Sequence, residues 1–251
     1  MDLISAGVHV LLGALLGTVG GLFGIGGGLI AIPALGILFG LDQQLAQGTA
    51  LVMVVPNVLL ALWRYHQHNP IDLRHALALG LSGLLSAWLA SLLALQVDAR
   101  SMRYAFVGFL LALALFNLWR LYRPLPAAGQ GLRYPWPWLG VLGGLSGLLG
   151  GLFAVGSAVL ATPSLTAIFG VSQVIAQGLS LSLALPATAV TLATYAAHDE
   201  VSWSMGIPLA IGGLLSISWG VKLAHALPDR LLRQLFCGFL LVCAVGLAVI
   251  A

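Results

Sequence analysis

Charge is nearly missing from this sequence: ten Lys or Arg and seven Asp or Glu make up 7% of 251 residues, against about 25% in soluble domains. So few polar side chains cannot cover a water-soluble surface, which excludes a soluble globular chain. No acid falls in the middle of any apolar segment, so the carboxylate that often relays protons through a membrane is missing. The only two cysteines, Cys237 and Cys243, lie six apart in the last apolar segment; they match no metal spacing and read as small packing residues. No Lys or Arg precedes Arg64, so the first segment lacks the basic start of a secretory signal and is expected to stay in the mature protein. There is no G-K-[ST], and a G-x-G-x-x-G begun at Gly24 fails at Leu29 with no strand before it. A nucleotide-driven pump is thereby excluded and no cofactor is expected. No nucleophile, acid pair or metal cluster suggests an enzyme. The net charge of +3 gives no reason to expect a nucleic-acid partner; basic residues in such a chain mainly set orientation.

What the chain does have is apolar length. It is 60% hydrophobic with a mean hydropathy of +1.06, the composition of an all-α, multi-pass protein of the lipid bilayer. Within this background a glycine cluster stands out, Gly20 to Pro33, with five glycines between Gly21 and Gly28. Glycine permits backbone conformations closed to other residues and lets the chain unwind or approach another group closely. The segment reads as a broken helix.

The same design recurs 130 residues later without gaps. Gly17 falls on Gly147, Phe23 on Phe153, Gly26 on Gly156, Pro33 on Pro163 and Gly40 on Gly170. Gln43, Gln47 and Gly48 fall on Gln173, Gln177 and Gly178, and Tyr65 falls on Tyr195. Two homologous repeats are expected, residues 1–123 and 137–251, joined by a basic, Pro-rich linker at 124–136. Residues 5–40 form an apolar stretch of 36, whereas about 20 suffice to cross a bilayer. The glycines divide it into a long arm and a short arm, Leu29 to Phe39, too brief to span comfortably. Spans follow at 45–63, 75–96 and 102–121. In repeat two the broken segment runs from 137 to 170, with spans at 174–196, 204–226 and 231–250.

Arginine placement selects a topology. If each broken segment returns to its starting face, Arg64, Arg74, Arg120, Arg123, Arg133, Lys222, Arg230 and Arg233 share one face, opposite only Arg100 and Arg103. That bias fits the positive-inside rule, whereas a single crossing per broken segment gives an even division. The repeats would then be inverted, with the N-terminus outside, an architecture of alternating-access secondary transporters. The expected location is the cytoplasmic membrane. The sequence leaves the oligomeric state open.

In such proteins the substrate lies between discontinuous helices, whose half-helix N-termini offer unpaired N–H groups and partial positive charge. These ends suit an anion. The candidate binding residues are therefore Gly24, Gly26, Gly27 and Gly28 in the first break and Gly156 and Ser157 in the second. Gln47 and Thr49, with Gln177 and Ser180, follow the short arms and could donate to oxyanions through amides and hydroxyls. Their alternative role is to start the next span and pack closely. Asn57 and Thr188 could line a pathway or bond between helices. His66, His68 and His75 resemble a metal cluster but sit in a short loop with only Asp72 as a carboxylate neighbour, so no metal site is assigned.

Gly24-Ile25-Gly26-Gly27-Gly28, followed by Pro33, Leu35 and Gln43 to Thr49, resembles the TauE/SafE family of membrane permeases, and a second, degenerate copy runs through Pro163, Leu165 and Gln173 to Gly178. The resemblance covers nearly the whole chain. It implies a permease for sulfite, an organosulfonate or a related small sulfur anion, without cofactor or metal. One departure is evident: the second glycine run is reduced to Ala154-Val155-Gly156-Ser157-Ala158. Two other readings remain, a non-transporting membrane accessory or assembly protein and a metal-ion permease using the loop histidines.

Overall fold

The computed structural model describes residues 3–23, 26–68, 72–121, 134–171, 173–227 and 229–250. Gly24, and residues 124–133 of the linker, lie outside this set. The described residues form ten α-helices. Repeat one contains α1 (Leu3–Phe23), α2 (Gly28–Phe39), α3 (Gln43–His68), α4 (Leu73–Ala94) and α5 (Ala99–Leu121). Repeat two contains α6 (Pro137–Phe153), α7 (Ala158–Ala167), α8 (Gln173–Ala197), α9 (Trp203–Ala226) and α10 (Asp229–Ile250). Five helices, α1, α3, α4, α5 and α8, contain segments long and apolar enough to cross a membrane. The helix starts at 28, 43, 73 and 99 recur at 158, 173, 203 and 229, the 130-residue offset read from the sequence.

Each broken segment is a helical hairpin. At 1.5 Å per residue α1 is about 31 Å long and α2 only about 18 Å. At the turn, a Cβ on Gly20 would lie 2.5 Å from Gly27 Cα, and at the far end His9 of α1 stacks on Phe39 of α2, ring centroids 5.1 Å apart. The short arm therefore doubles back along the long one. Repeat two does the same: Gly150 meets Ser157 at the turn, and Tyr134, just before α6, meets Phe169, just after α7, at 6.0 Å.

Helix pairing interlocks the repeats. The long arm α1 packs along α9 and, equivalently, α6 packs along α4. Small residues make this possible. A Cβ on Gly17 would sit 2.6 Å from Gly213 Cα, and one on Gly147 would collide with the Gly83 carbonyl oxygen. Without a hydrophobic driving force between helices in lipid, such backbone approach supplies the packing energy. The equivalent rings Phe23–Phe239 and Phe153–Phe109 close the other flank, with centroids 6.4 and 4.7 Å apart. At the centre, α3 packs against α8; 61% of the α3 span and 56% of the α8 span are buried, against 33% for α1, α4 and α5. The start of α3 meets the end of α8, where the Tyr195 hydroxyl donates to Gln47 Oε1 at 2.7 Å. The periphery is apolar, with Leu11, Leu15, Leu81, Leu85, Leu215 and Val249 exposed, as a bilayer requires.

Substituting Gly147→Leu should lower thermal stability in detergent by roughly 1–3 kcal/mol or more, since overpacking against backbone is hard to relieve. Gly140→Ala, where a Cβ meets nothing within 4 Å, should leave the melting midpoint unchanged or raised. Equal effects of the two would contradict the α4–α6 packing.

Candidate anion site at the paired helix breaks

The two breaks meet inside the protein. Residues Gly27 to Leu35 are buried except for Ala34, and a Cβ on Gly28 would lie 2.9 Å from Val54 Cγ2, 3.3 Å from the Ala154 carbonyl oxygen and 3.6 Å from Val155 Cα. Glycine here lets one break approach the other closely. On the α3 side, a Cβ at Gly27 would lie 3.0 Å from Met53 Cε, and one at Gly26 3.0 Å from Val58 Cγ2.

Backbone conformation explains the uneven glycine content. Gly26 and its counterpart Gly156 have φ of +70° and +83°, a left-handed region that strains side-chain-bearing residues. Both are glycine. Gly27 caps α2 at φ +91°, whereas Ser157 caps α7 at an ordinary −63°, so a serine is tolerated only in the second break. Ala154 takes φ +55° as the C-cap of α6, a costly conformation for alanine. The degenerate copy thus keeps glycine where the shared backbone most needs it.

At these N-termini the first helical amides have no acceptor one turn earlier. The Ile30 and Ala31 N–H groups both turn to the Gly27 carbonyl, at 3.1 and 2.9 Å, and in the second break Val159 N–H donates to Gly156 O and Ala161 N–H to Ser157 O. Ser157 does not cap with its side chain; its hydroxyl is 1% exposed and has no partner among the described residues. A positive helix end, buried and equipped with an idle hydroxyl, can receive an anion without a basic side chain.

The polar residues after the short arms are placed differently. Gln47 Oε1 accepts from Tyr195, while its Nε2 has no partner among the described residues. Thr49 Oγ1 accepts from the Ser202 N–H at 3.0 Å, and Gly48 lets the Glu200 carbonyl lie against α3. These three fasten the α8–α9 corner to α3. In the other half Gln177 is half-buried and bonded, and the Ser180 hydroxyl is buried without a partner among the described residues. Thr188, whose methyl would lie 3.8 Å from a Cβ on Gly156, uses its hydroxyl on the Ala184 carbonyl at 2.7 Å. Sequence reasoning left Asn57 undecided. It is fully buried on α3, and neither Nδ2 nor Oδ1 has a partner among the described residues; an unsatisfied buried amide costs about 1–3 kcal/mol.

A charged cleft lies at the end of the bundle where α3 and α5 start. A cleft of about 410 Å³ is lined by Asp42, Ala99, Arg100 and Arg103, and Arg103 Nη2 donates to the Leu41 carbonyl at 3.4 Å, just beyond α2. Burial, and secondly the Asp42 charge, hold the Glu200 carboxyl above its ordinary value. At the start of α4, His75 pairs with the N-cap Asp72 at 3.5 Å, and His66 lies on α3, so these two histidines stand on helices and not in the expected loop; the His68 side chain lies outside the described residues. Among those described, no three His, Cys, Asp or Glu side chains come together.

The family described as "Sulfite exporter TauE/SafE" matches residues 9–247. The chain belongs to the TauE/SafE family. It is similar to a "Probable membrane transporter protein" of Xylella fastidiosa, 29% identical over 256 residues that cover 100% of this chain and 97% of the relative. It is also 24% identical to a protein of the same description from Methanocaldococcus jannaschii, covering 92% of this chain and 91% of that one. "Probable membrane transporter protein YunE" of Bacillus subtilis is 24% identical, with 89% of each covered. This TauE/SafE member is therefore a multi-pass membrane transporter of the cell membrane.

If the fastening role holds, Tyr195→Phe and Thr49→Val should each lower stability by about 1–3 kcal/mol, because each leaves a buried polar group unpaired. Transport per folded molecule should change less than twofold. A normal melting curve with abolished flux would make these residues ligands instead.

Proposed function

We propose that this TauE/SafE protein is a secondary transporter that moves a small sulfur-containing anion, of the sulfite or sulfonate class, across the cytoplasmic membrane by alternating access between inverted repeats. The observation that carries the proposal is the meeting of the two breaks at Gly28, Ala154 and Val155, which sets the start of α2 against the turn between α6 and α7. Gly26, Gly27, Gly28 and Gly156 present backbone N–H groups at little steric cost, and Ser157 adds a hydroxyl donor. The family's description supplies the sulfur anion; the helix ends supply only the preference for negative charge.

Inversion is supported by direction. Because α3 and its counterpart α8 meet start to end through Gln47 and Tyr195, the same helix runs oppositely in the two repeats. The doubling back of α2 on α1, marked by His9 and Phe39, leaves three further helices per repeat, the odd number that inversion needs. It also leaves Arg100 and Arg103 opposite the other eight basic residues, as the charge bias requires. Alternating access then follows by rocking the interlocked pairs α1–α9 and α4–α6 around the breaks.

Two experiments test this reading. In proteoliposomes, Gly28→Val should abolish sulfite flux, because its side chain crowds Val54, Ala154 and Val155 where the breaks meet, while Gly156→Ala, with a strained φ but only an ordinary contact with Thr188, should reduce flux partially. Unchanged flux in a well-folded Gly28→Val protein would remove the breaks from the pathway. For topology, in a background lacking Cys237 and Cys243, Asp98→Cys should react with an impermeant thiol reagent from outside intact cells and Trp136→Cys only after permeabilisation. Labelling of both from the same side would rule out the inverted arrangement.

A further inference from the structure

Asn57 is the buried side chain of the chain whose chemistry is least accounted for. It is wholly inaccessible, and both its donor nitrogen and its acceptor oxygen have no partner among the described residues. Buried amides are almost always bonded, and an exception calls for a ligand or a function. Its neighbours locate it. A Cβ on Gly213 of α9 would lie 3.0 Å from Asn57 Nδ2 and 2.9 Å from Met53 Cγ, and Met53, one turn earlier on α3, reaches Gly27 with its Cε. Gly213 in turn lies against Gly17 of α1. The amide therefore stands where α3 faces α9 beside α1, one turn along α3 from the methionine that reaches the first break. Its counterpart in repeat two is Ala187, so this polar wall exists on one side alone.

We propose that Asn57 is a specificity-determining residue that reads an oxyanion carrying its own hydrogen-bond donor: a monoprotonated oxyacid or an amino-bearing sulfonate. The inference rests on the anion-transport reading above. The reasoning is stereochemical. A carboxamide presents NH2 donors and a carbonyl acceptor on one flat group. A fully deprotonated oxyanion or a halide can take the N–H but leaves Oδ1 facing negative charge, unpaired and repelled. A ligand with both an oxyanion oxygen and an O–H or N–H satisfies both ends at once, and an unpaired buried group is what makes such sites discriminate sharply. With no carboxylate in the middle of any span, a proton carried on the substrate itself would also enter with it, so no protein group need relay it.

Matched ligands test this on the purified full-length protein by calorimetric titration at fixed ionic strength: taurine against ethanesulfonate, which lacks only the amine, and sulfite below and above the pH at which hydrogensulfite loses its proton. Wild type should bind taurine at least tenfold more tightly than ethanesulfonate, and should bind sulfite more tightly at the lower pH. Asn57→Leu, similar in volume but without polar atoms, should bind each of them weakly and equally. Its melting temperature should match or exceed that of wild type, since an orphan amide has been removed; a structural asparagine would instead destabilise on removal. Wild-type binding that ignores the donor, discrimination that survives in Asn57→Leu, or destabilisation by that substitution would overturn this inference alone. Failure of wild type to bind any of these ligands would overturn the anion reading together with it.

Discussion

A helix that stops inside hydrocarbon leaves backbone N–H groups that lipid cannot satisfy. The rest of this structure can be understood as the means of keeping two such ends buried and side by side. The breaks after α1 and α6 are walled by α3 and α8, the most enclosed long helices. The hairpins are clamped by glycine-on-glycine contact of α1 with α9 and of α6 with α4. What would be a defect in a plain membrane span becomes a place of positive potential without a basic side chain, which is what the proposed anion transport asks of a chain with so few charges.

Interlocking follows from the same constraint. If each repeat shielded its own break, the two ends would lie apart and each would need its own cover. Here the long arm of each repeat packs on the fourth helix of the other, so neither half is a separable domain and both breaks share one interior. The asymmetry within this near-twofold plan is chemical. Repeat one contributes the left-handed Gly26 and Gly27 together with Asn57, and repeat two contributes a single left-handed glycine at its break, Gly156, and the Ser157 hydroxyl. Two equivalent walls would hold any anion alike; unlike walls can orient one.

Much of the fold was legible because its determinants are local. The 130-residue offset gave the helix order, the glycine runs gave the breaks, and the length of Leu29 to Phe39 gave a short arm that the structure places antiparallel to α1. Helix partners were not legible, since the collision-free approach of Gly17 to Gly213 depends on which faces meet, and small residues mark many faces of this chain. The candidate site divided in the same way. Gly26, Gly27, Gly28, Gly156 and Ser157 all fall at the two breaks because sequence pattern reports backbone conformation. Gln47 and Thr49 also take Tyr195 and Ser202, more than 140 positions away, on their oxygens, a fastening that residue type does not report, while the Gln47 Nε2 donor has no partner among the described residues. Asn57 had no repeat, motif or charge to mark it; only the absence of a partner in three dimensions singles it out.

The account stands or falls on the two breaks facing each other across one anion. Its most direct test is disulfide formation between Gly28→Cys and Val155→Cys, in a background lacking Cys237 and Cys243 and with a protease site placed in residues 124–133. Oxidation in membranes should join the halves so that protease no longer separates them, and added taurine should slow the reaction by filling the space between. Failure of the pair to cross-link, or cross-linking at the same rate with and without taurine, would contradict a shared anion site at the breaks.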